Sequence, residues 1–227
     1  MREISLDTET TGLSFANGDK LTEIGAVEII DKKITGKTFH LYINPERELS
    51  DASVQITGLT YDFLKKYKPF KDCYQEFLDF IQNDRLIIHN APFDMGFLNY
   101  ELEQANASKL NPNNVVDTLV MAKEKFPGSP STLDALCRRF SVNASGRTKH
   151  GALIDAELLA EVYLHMSVEV FQKVLFGSQD NKTISNESVY VRTNIEPRNF
   201  PISNSEKEEH LEFIKKLKNP IWNKLQQ

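Results

Sequence analysis

Alternation of apolar and polar residues at the start of the chain predicts three consecutive strands. Residues 2–7 alternate in this way, and the stretches 21–30 and 38–43 are rich in β-branched and aromatic residues. Short polar turns separate the three stretches, which is typical of strands that pair with their neighbours in sequence. We therefore predict an antiparallel three-stranded meander at the beginning of the fold.

After residue 50 the apolar residues recur at helical spacing, and two short apolar stretches, LII within 85–89 and VV within 114–117, interrupt that pattern. The runs predict strands at 85–89 and 114–117, and the helical stretches predict helices over 60–66, 69–83, 93–105, 131–140 and 151–166. Strands that alternate with helices indicate an α/β architecture. We expect a mixed five-stranded sheet flanked by helices.

A polar segment separates this core from a last amphipathic helix. Polar residues dominate 177–194, which predicts a linker. A helix is predicted over 203–218, where Ser205 and Glu208 have the spacing of a capping box. This helix is too short to be stable alone, so its apolar stripe is expected to dock on another surface. The stripe consists of Phe213, Ile214 and Leu217.

Composition and charge narrow the class of protein. The 227 residues, 40% of them hydrophobic, can bury one substantial core. We predict one domain over 1–168, a linker over 169–195 and a short helical tail over 196–227. A net charge of −5 argues against a protein that coats nucleic acid through bulk positive charge. Two distant cysteines and the lack of a long apolar run predict a cytoplasmic protein without disulfides or a membrane span.

Two acidic residues at the end of the first strand are the first candidates for chemistry. Residues two apart on a strand point to the same face, so the carboxylates of Asp7 and Glu9 are expected to lie side by side. Adjacent anions repel each other, and a divalent cation is the simplest group that would stabilise them. The alternative is that one of the two acids caps the turn that follows.

Two more acids and a histidine decide between these interpretations. Asp94 follows an apolar strand at the start of a helix, where it could also act as a helix N-terminal acid. Asp155 lies near the inward face of its helix, with no Lys or Arg three or four residues away. His150 precedes Asp155 by five residues and could reach the same site, although a histidine in a turn is also common at surfaces.

Three motifs carry a family resemblance. Asp7-Thr-Glu9-Thr-Thr-Gly, His89-Asn-Ala-Pro-Phe-Asp94 and His150-Gly-Ala-Leu-Ile-Asp155 resemble the motifs of the DEDDh 3′–5′ exonucleases, which have a ribonuclease-H-like fold. The segments LTEIGAVEI, VVDTL and RTKHGALIDAELLAEVYL also resemble the proofreading (epsilon) subunits of bacterial DNA polymerase III. The resemblance covers about residues 2–166.

The resemblance implies a two-metal nuclease. Asp7, Glu9 and Asp155 would hold two Mg²⁺ or Mn²⁺ ions, and Asp94 would complete the acidic set. His150 would act as the general base, and the reaction would release 5′-mononucleotides from a DNA 3′ end. Within a polymerase assembly, the chain would also be classed with the nucleotidyltransferases.

The resemblance also implies residues that hold the terminal nucleotide. The acids Asp7, Glu9 and Asp155 would contact it through the ions, and Thr10 would contact it directly. The segment LSDASVQITGLT aligns with a substrate-binding stretch of the family. In that stretch Ala52 stands where the family often has glutamate and Thr57 stands where it has histidine.

The partners follow from the same resemblance. The tail at 196–227 would bind the polymerase (alpha) subunit, and the sequence QKVLF at 172–176 would bind the sliding clamp or, alternatively, form a last helical turn on the core. The alternative function is a stand-alone DEDDh exonuclease that trims RNA or single-stranded DNA. A subunit that only bridges polymerase and clamp is disfavoured because all four acids and the histidine are retained.

Other polar residues are given structural roles. Asp117 closes the last predicted strand, and capping of the following helix is favoured over a fifth ligand. Four further histidines are interpreted as structural or surface residues. These are His40, His89, His165 and His210.

Overall fold

In the computed structural model of the chain, the backbone is described for residues 1–144, 149–176 and 203–216. Side chains are described for the same residues except 168–176. The chain divides into two units, Met1–Gln179 and Asp180–Gln227, and each is described by itself.

The N-terminal meander is present and is longer than predicted. Strands β1 (Arg2–Thr10), β2 (Leu21–Ile30) and β3 (Lys33–Tyr42) pair in antiparallel fashion. β3 begins five residues early because a two-residue turn joins it to β2. Both turn residues, Asp31 and Lys32, have positive φ, at 48° and 62°, as a tight hairpin turn requires.

The remaining elements of the first unit alternate between helix and strand. In chain order they are α1 (Asp51–Thr57), α2 (Tyr61–Leu64), α3 (Tyr74–Ile81), β4 (Arg85–Ile88), α4 (Ala91–Gln104), β5 (Val115–Asp117), α5 (Thr118–Lys125), α6 (Leu133–Phe140) and α7 (Ala152–Phe176). The sheet order is β3-β2-β1-β4-β5, and β4 and β5 run parallel to β1. The predicted mixed five-stranded sheet with an antiparallel meander is confirmed.

Several helix boundaries differ from the prediction. The predicted helix over 69–83 begins only at Tyr74, because a short 3-10 turn over Phe70–Asp72 precedes α3. Helix α1 was not predicted, since its seven residues are too few to show a period; the Ser50 side chain caps it and Gly58 ends it. The bounds of α5 were not predicted either.

Helix α7 is longer than predicted. It continues to Phe176, so the first residues of the predicted linker have a helical backbone. The sequence between the predicted helix end and Gly177 contains no glycine or proline that would stop the helix. The side chains of 172–176, the segment that resembles a clamp-binding peptide, lie outside the described residues.

The sheet has a hydrophobic layer on each face. On one face Ile4 and Leu6 of β1 pack with Phe97 and Leu98 of α4, and all four side chains are buried. On the other face the small residues of α7, such as Ala156, pack against β2 and β4. Because β1 is central, its alternate side chains point into both layers.

The described part of the second unit is one helix, α8 (Asn204–Lys216). The predicted capping box is wrong by two residues: the Glu206 carboxylate accepts from the Ser203 backbone N–H and hydroxyl, both at 2.8 Å. Ser203-x-x-Glu206 has the same spacing as the predicted pair and lies at the actual start of the helix. Leu217 lies outside the described residues. Among the described residues, no helix combines the length and apolar character that a membrane crossing requires.

Candidate active site

The end of β1 carries side chains that point into both layers of the fold. Ser5, Asp7 and Glu9 alternate along the face that α7 covers, and the Ser5 hydroxyl donates to the carbonyl oxygen of Ala156 at 2.8 Å. Thr8 and Leu6 point to the α4 face instead. Acids from α7 and from α4 can therefore approach the same strand end from opposite sides.

A glycine in β2 allows α7 to reach the sheet. Gly25 lies directly opposite Asp7 in the antiparallel pair. A Cβ atom at Gly25 would lie only 2.2 Å from the carbonyl carbon of Ala152, so any larger residue would displace the first turn of α7. This close approach places Asp155, one turn further along α7, beside the end of β1.

Three side chains converge at this point. Glu9, His150 and Asp155 each offer a ligand atom, and these three atoms lie within 4.8 Å of one another. Asp155 is 3% exposed, and its Oδ2 lies 3.1 Å from His150 Nδ1. Two carboxylates and an imidazole at this separation fit a divalent cation.

The third predicted ligand stands slightly apart from this group. Asp7 is not in the 4.8 Å group, where His150 takes its place. Asp7 lines a cavity of about 530 Å³ together with His150 and Asp155. The structure thus brings Asp7, Glu9, His150 and Asp155 to one site.

Asp94 reaches the same strand end from the α4 side. Its Oδ1 accepts hydrogen bonds from the Thr8 backbone N–H at 3.1 Å and from the Thr8 hydroxyl at 2.7 Å. Burial raises the pKa of Asp94 to about 7, the charge of Asp117 adds to this effect, and the bonds from Thr8 oppose it. A buried carboxyl with such a pKa either holds a proton or requires a nearby cation.

The opposite wall of the cavity was not predicted. It consists of His89, Asn90, Leu119, Thr132, Leu133 and Asp134. His89 Nδ1 lies 2.9 Å from the Thr118 hydroxyl, and burial lowers the pKa of the imidazole. His89 and Asn90 follow β4, Leu119 lies in the first turn of α5 just after β5, and Thr132, Leu133 and Asp134 lie at the start of α6. Only the tertiary structure places them beside Asp7.

The other polar residues behave largely as predicted. Asp117 Oδ1 accepts from the Leu119 backbone N–H at 2.9 Å, which confirms its role as a helix cap. His40 Nε2 lies 2.6 Å from Glu23 Oε1. The ring of His165 stacks on Phe140. His210 is an exposed residue of α8.

Of the predicted nucleotide contacts, Asp7 and Asp155 line the cavity, whereas Thr10, Ala52 and Thr57 do not. The buried Thr10 donates its hydroxyl to the Gly12 carbonyl oxygen. Ala52 is exposed on α1. The Thr57 hydroxyl donates to the Ser53 carbonyl oxygen at 2.9 Å and accepts from the Leu59 N–H at 3.1 Å. The hydroxyls of both threonines are thus engaged within the loop and the helix.

Helix α1 also contacts the turn that carries His150. The backbone N–H of His150 donates to the Ile56 carbonyl oxygen at 3.1 Å, and Lys149 Nζ donates to the Gln55 carbonyl oxygen at 3.4 Å. The aligned substrate-binding stretch and His150 are therefore held together. No local pattern predicts this contact, because the two segments are about ninety residues apart.

Comparison with known proteins agrees with this geometry. The model of the RNase T exonuclease family matches residues 4–163. DNA polymerase III subunit epsilon of Rickettsia felis is 44% identical over 225 residues, covering 96% of this chain and 97% of the relative. The DNA polymerase III subunit epsilon of Buchnera aphidicola subsp. Baizongia pistaciae is 41% identical, and the match covers 97% of this chain and 96% of the relative.

Solved structures share the fold. Exonuclease X in complex with 5′ overhanging duplex DNA has a TM-score of 0.59 at 23% identity and covers 74% of this chain and 91% of its own. The nuclease domain of 3′hExo, a DEDDh family member bound to rAMP, has a TM-score of 0.62 at 19% identity and covers 74% and 92%. The chain therefore belongs to the RNase T exonuclease family and, within it, to the DNA polymerase III epsilon subunits, which are metal-dependent 3′–5′ proofreading exonucleases.

Proposed function

We propose that this chain removes mismatched nucleotides from a DNA 3′ end within a replicative polymerase assembly in the cytoplasm. The observation that carries the proposal is the convergence of Glu9, His150 and Asp155 within 4.8 Å beside a cavity that Asp7 also lines. Four carboxylates at one strand end, counting Asp94, are costly unless cations bind among them.

The carboxylates provide the metal site. Asp7, Glu9 and Asp155 would hold two divalent cations, and Asp94 would complete the set from the α4 side. Oxygen ligands without cysteine favour Mg²⁺ or Mn²⁺. When bound, the two cations would activate a water and neutralise charge on the departing 3′-oxygen.

In the proposed reaction His150 would take the proton of the attacking water. Its Nδ1 faces Asp155 Oδ2, which favours the tautomer with the hydrogen on Nδ1 and the lone pair on Nε2. The carboxylate also stabilises the imidazolium that forms once Nε2 has accepted a proton. Because the His150 side chain is 47% exposed, this proton can leave to solvent after each turnover.

Substrate contacts are proposed on both sides of the acids. Asp7, Glu9 and Asp155 would contact the terminal nucleotide through the cations. Thr10 would contribute to nucleotide binding by shaping the loop after β1. Ala52 and Thr57 would contribute to it through helix α1. The contact between α1 and His150 supports this role, because a nucleotide that packs on α1 would also lie close to His150, the proposed general base.

The polymerase (alpha) subunit is proposed as the partner of the tail at 196–227. Relatives named as epsilon subunits align with nearly the whole chain, tail included. Leu211 and Phe213 of α8 are 54% and 59% exposed and could anchor such a contact. The segment 172–176 is proposed to bind the sliding clamp on sequence grounds alone.

These relatives favour the replicative subunit over a stand-alone trimming exonuclease. They also support hydrolysis by this chain, whereas the expected nucleotidyltransferase classification has no support from them. Polymerisation is therefore assigned to a different subunit.

Excision of a 3′-mismatched primer tests the proposal. The full chain is expected to release 5′-mononucleotides from the mismatched strand when Mg²⁺ or Mn²⁺ is added, and Asp7→Asn is expected to abolish the release while the chain stays folded. Appreciable activity of Asp7→Asn would contradict the metal assignment. Deletion of 196–227 is expected to abolish co-purification with the alpha subunit but to spare excision of single strands.

A further inference from the structure

A buried acid that the mechanism does not use lies beside the metal-binding acids. Glu23 of β2 is 3% exposed and is the direct cross-strand partner of Glu9. Directly opposite residues of an antiparallel pair point to the same face, with Cβ atoms about 5 Å apart. Glu23 therefore places a second carboxylate on the face where Glu9 meets Asp155.

The position of Glu23 relative to α7 is equally close. A Cβ atom at Gly151 would lie 3.9 Å from Glu23 Oε1. The carboxylate thus lies beside the backbone between His150 and Ala152, where the catalytic turn becomes helix α7. Glu23 therefore lies opposite Glu9 and also beside the backbone next to His150.

The charge of Glu23 is compensated differently from that of the other buried glutamates in the described part of the chain. Glu3 pairs with Lys32 at 2.7 Å, Glu28 pairs with Arg2 at 2.8 Å, and Glu101 pairs with Lys20 at 3.4 Å. Among the residues that the structure describes, which exclude 145–148, the ion-pair partner of Glu23 is the imidazole of His40, at 2.6 Å, and no described Lys or Arg lies within 4.0 Å.

These observations point to an electrostatic role. A buried anion opposite another anion is destabilising unless a positive charge lies nearby. The His40 imidazole supplies such a charge only when it is protonated, whereas a divalent cation held by Glu9 and Asp155 would supply a permanent one on the same face of the sheet. The half-buried His40 fixes Glu23 Oε1, the same oxygen that lies 3.9 Å from a Cβ atom at Gly151, so the carboxylate is held beside the turn that carries His150.

We propose that Glu23, held by His40, is a positioning residue whose negative charge strengthens divalent cation binding at Glu9 and Asp155. This inference rests on the proposed metal-dependent function. Glu23 does not ligate the cation, and its effect acts through space. Removal of one negative charge from the residue opposite Glu9, in partly solvated surroundings, is expected to weaken cation binding about five-fold.

Calorimetric titration of Mn²⁺ into the full chain tests the proposal without reference to catalysis. Glu23→Gln keeps the shape and a hydrogen bond to His40 but removes the charge, so its Mn²⁺ dissociation constant is expected to rise about five-fold. Glu23→Asp keeps the charge and is expected to bind Mn²⁺ with an affinity close to that of the unmodified chain. A purely structural role would not be rescued in this way.

A matched control is available in the same strand. Glu28 is also buried, but it lies about 17 Å along β2 from Glu23 and belongs to the opposite face. Glu28→Gln is expected to lower the melting temperature and to leave the Mn²⁺ affinity unchanged. Equal affinities of Glu23→Gln and the unmodified chain, or an equal loss in Glu28→Gln, would overturn the inference. If the unmodified chain bound no Mn²⁺, the proposed function itself would fail.

Discussion

Gly25 of β2 and Ala152 of α7 approach each other so closely that a Cβ atom on the glycine would lie 2.2 Å from the Ala152 carbonyl carbon. This contact sets the height of the first turn of α7 above the sheet. Asp155 and His150 are both within three residues of Ala152, so their positions depend on it. The glycine acts on the site without touching substrate.

Gly25→Ala is expected to damage both stability and activity. The added methyl group must displace α7, which costs about 1–3 kcal/mol. A displacement of Asp155 by about 1 Å is expected to lower kcat by up to about 100-fold. Urea unfolding and mismatch excision measure the two effects.

Gly36→Ala is the control for this variant. Its φ is +84°, and a Cβ atom there meets nothing within 4 Å. It is expected to cost about 1 kcal/mol through the left-handed backbone alone and to leave kcat unchanged. Stability of Gly25→Ala equal to that of the unmodified chain would contradict the role of the close contact.

The stability of the chain without divalent cations is expected to fall as pH rises. The pKa of Asp94 is about 7 in the folded chain, above its ordinary value of 3.8. The folded chain therefore binds this proton more tightly than the unfolded chain. The resulting stabilisation is complete below pH 3.8 and is lost as pH rises through 7. Between pH 5 and 8 the loss is on the order of 2 kcal/mol.

Urea unfolding in chelator at several pH values measures this loss. Asp94→Asn, which cannot ionise, is expected to show a flat profile over the same range. Mn²⁺ is expected to stabilise the unmodified chain more at pH 8 than at pH 5.5, because the ionised carboxylate then has a cation beside it. Parallel pH profiles of the two proteins would show that another group titrates.

The variant His150→Gln tests whether His150 is a general base or a metal ligand. As a general base, His150 is expected to contribute about 10²–10⁴ to kcat, whereas the Mn²⁺ affinity should change by less than about two-fold. Its place within 4.8 Å of Glu9 and Asp155 makes the distinction necessary. Calorimetry and excision rates at saturating Mn²⁺ give the two numbers.

His165→Gln serves as the control for the histidine variant, because the ring of His165 stacks on Phe140 away from the cavity. Both the kcat and the Mn²⁺ affinity of this control are expected to match those of the unmodified chain. A fall of Mn²⁺ affinity in His150→Gln as large as the fall of kcat would identify the imidazole as a ligand.

Thr57→Val tests whether the hydroxyl contacts the nucleotide. Both of its hydrogen bonds go to backbone atoms of Ser53 and Leu59, so the variant is expected to lose about 1 kcal/mol of stability. The KM for single-stranded DNA is expected to change by less than about two-fold. Thr60→Val removes a comparable cap from α2 and controls for the loss of stability. A ten-fold rise in KM for Thr57→Val alone would show direct contact.

Local sequence determined the strands, most helices and the acidic motifs. Alternation fixes which side chains of β1 share a face, and this alone places Asp7 and Glu9 together. Short apolar runs identify β4, whose last three residues are buried and need no polar face, and β5, which is half-buried at the edge of the sheet. Asp117 was identified as a cap because its position before a helix follows from sequence order.

Short helices and the pairing of distant segments could not be predicted from the sequence, because the contacts that cause them are not local. Seven residues of α1 are too few to show a period, and the helix is held by Ser50, Gly58 and the contact with His150. The cross-strand position of Glu23 depends on the register of two strands, and a shift of one residue would turn it to the other face.

The sequence by itself therefore determined which residues carry charge and on which face of each element they lie. Only the tertiary structure decided that Asp155 lies beside Glu9, that Asp94 reaches the end of β1 from the other layer, and that Glu23 lies opposite Glu9 on the same face of the sheet. The physical reason is that close approach of distant segments depends on packing, such as the fit of α7 over Gly25, and no local pattern encodes that distance.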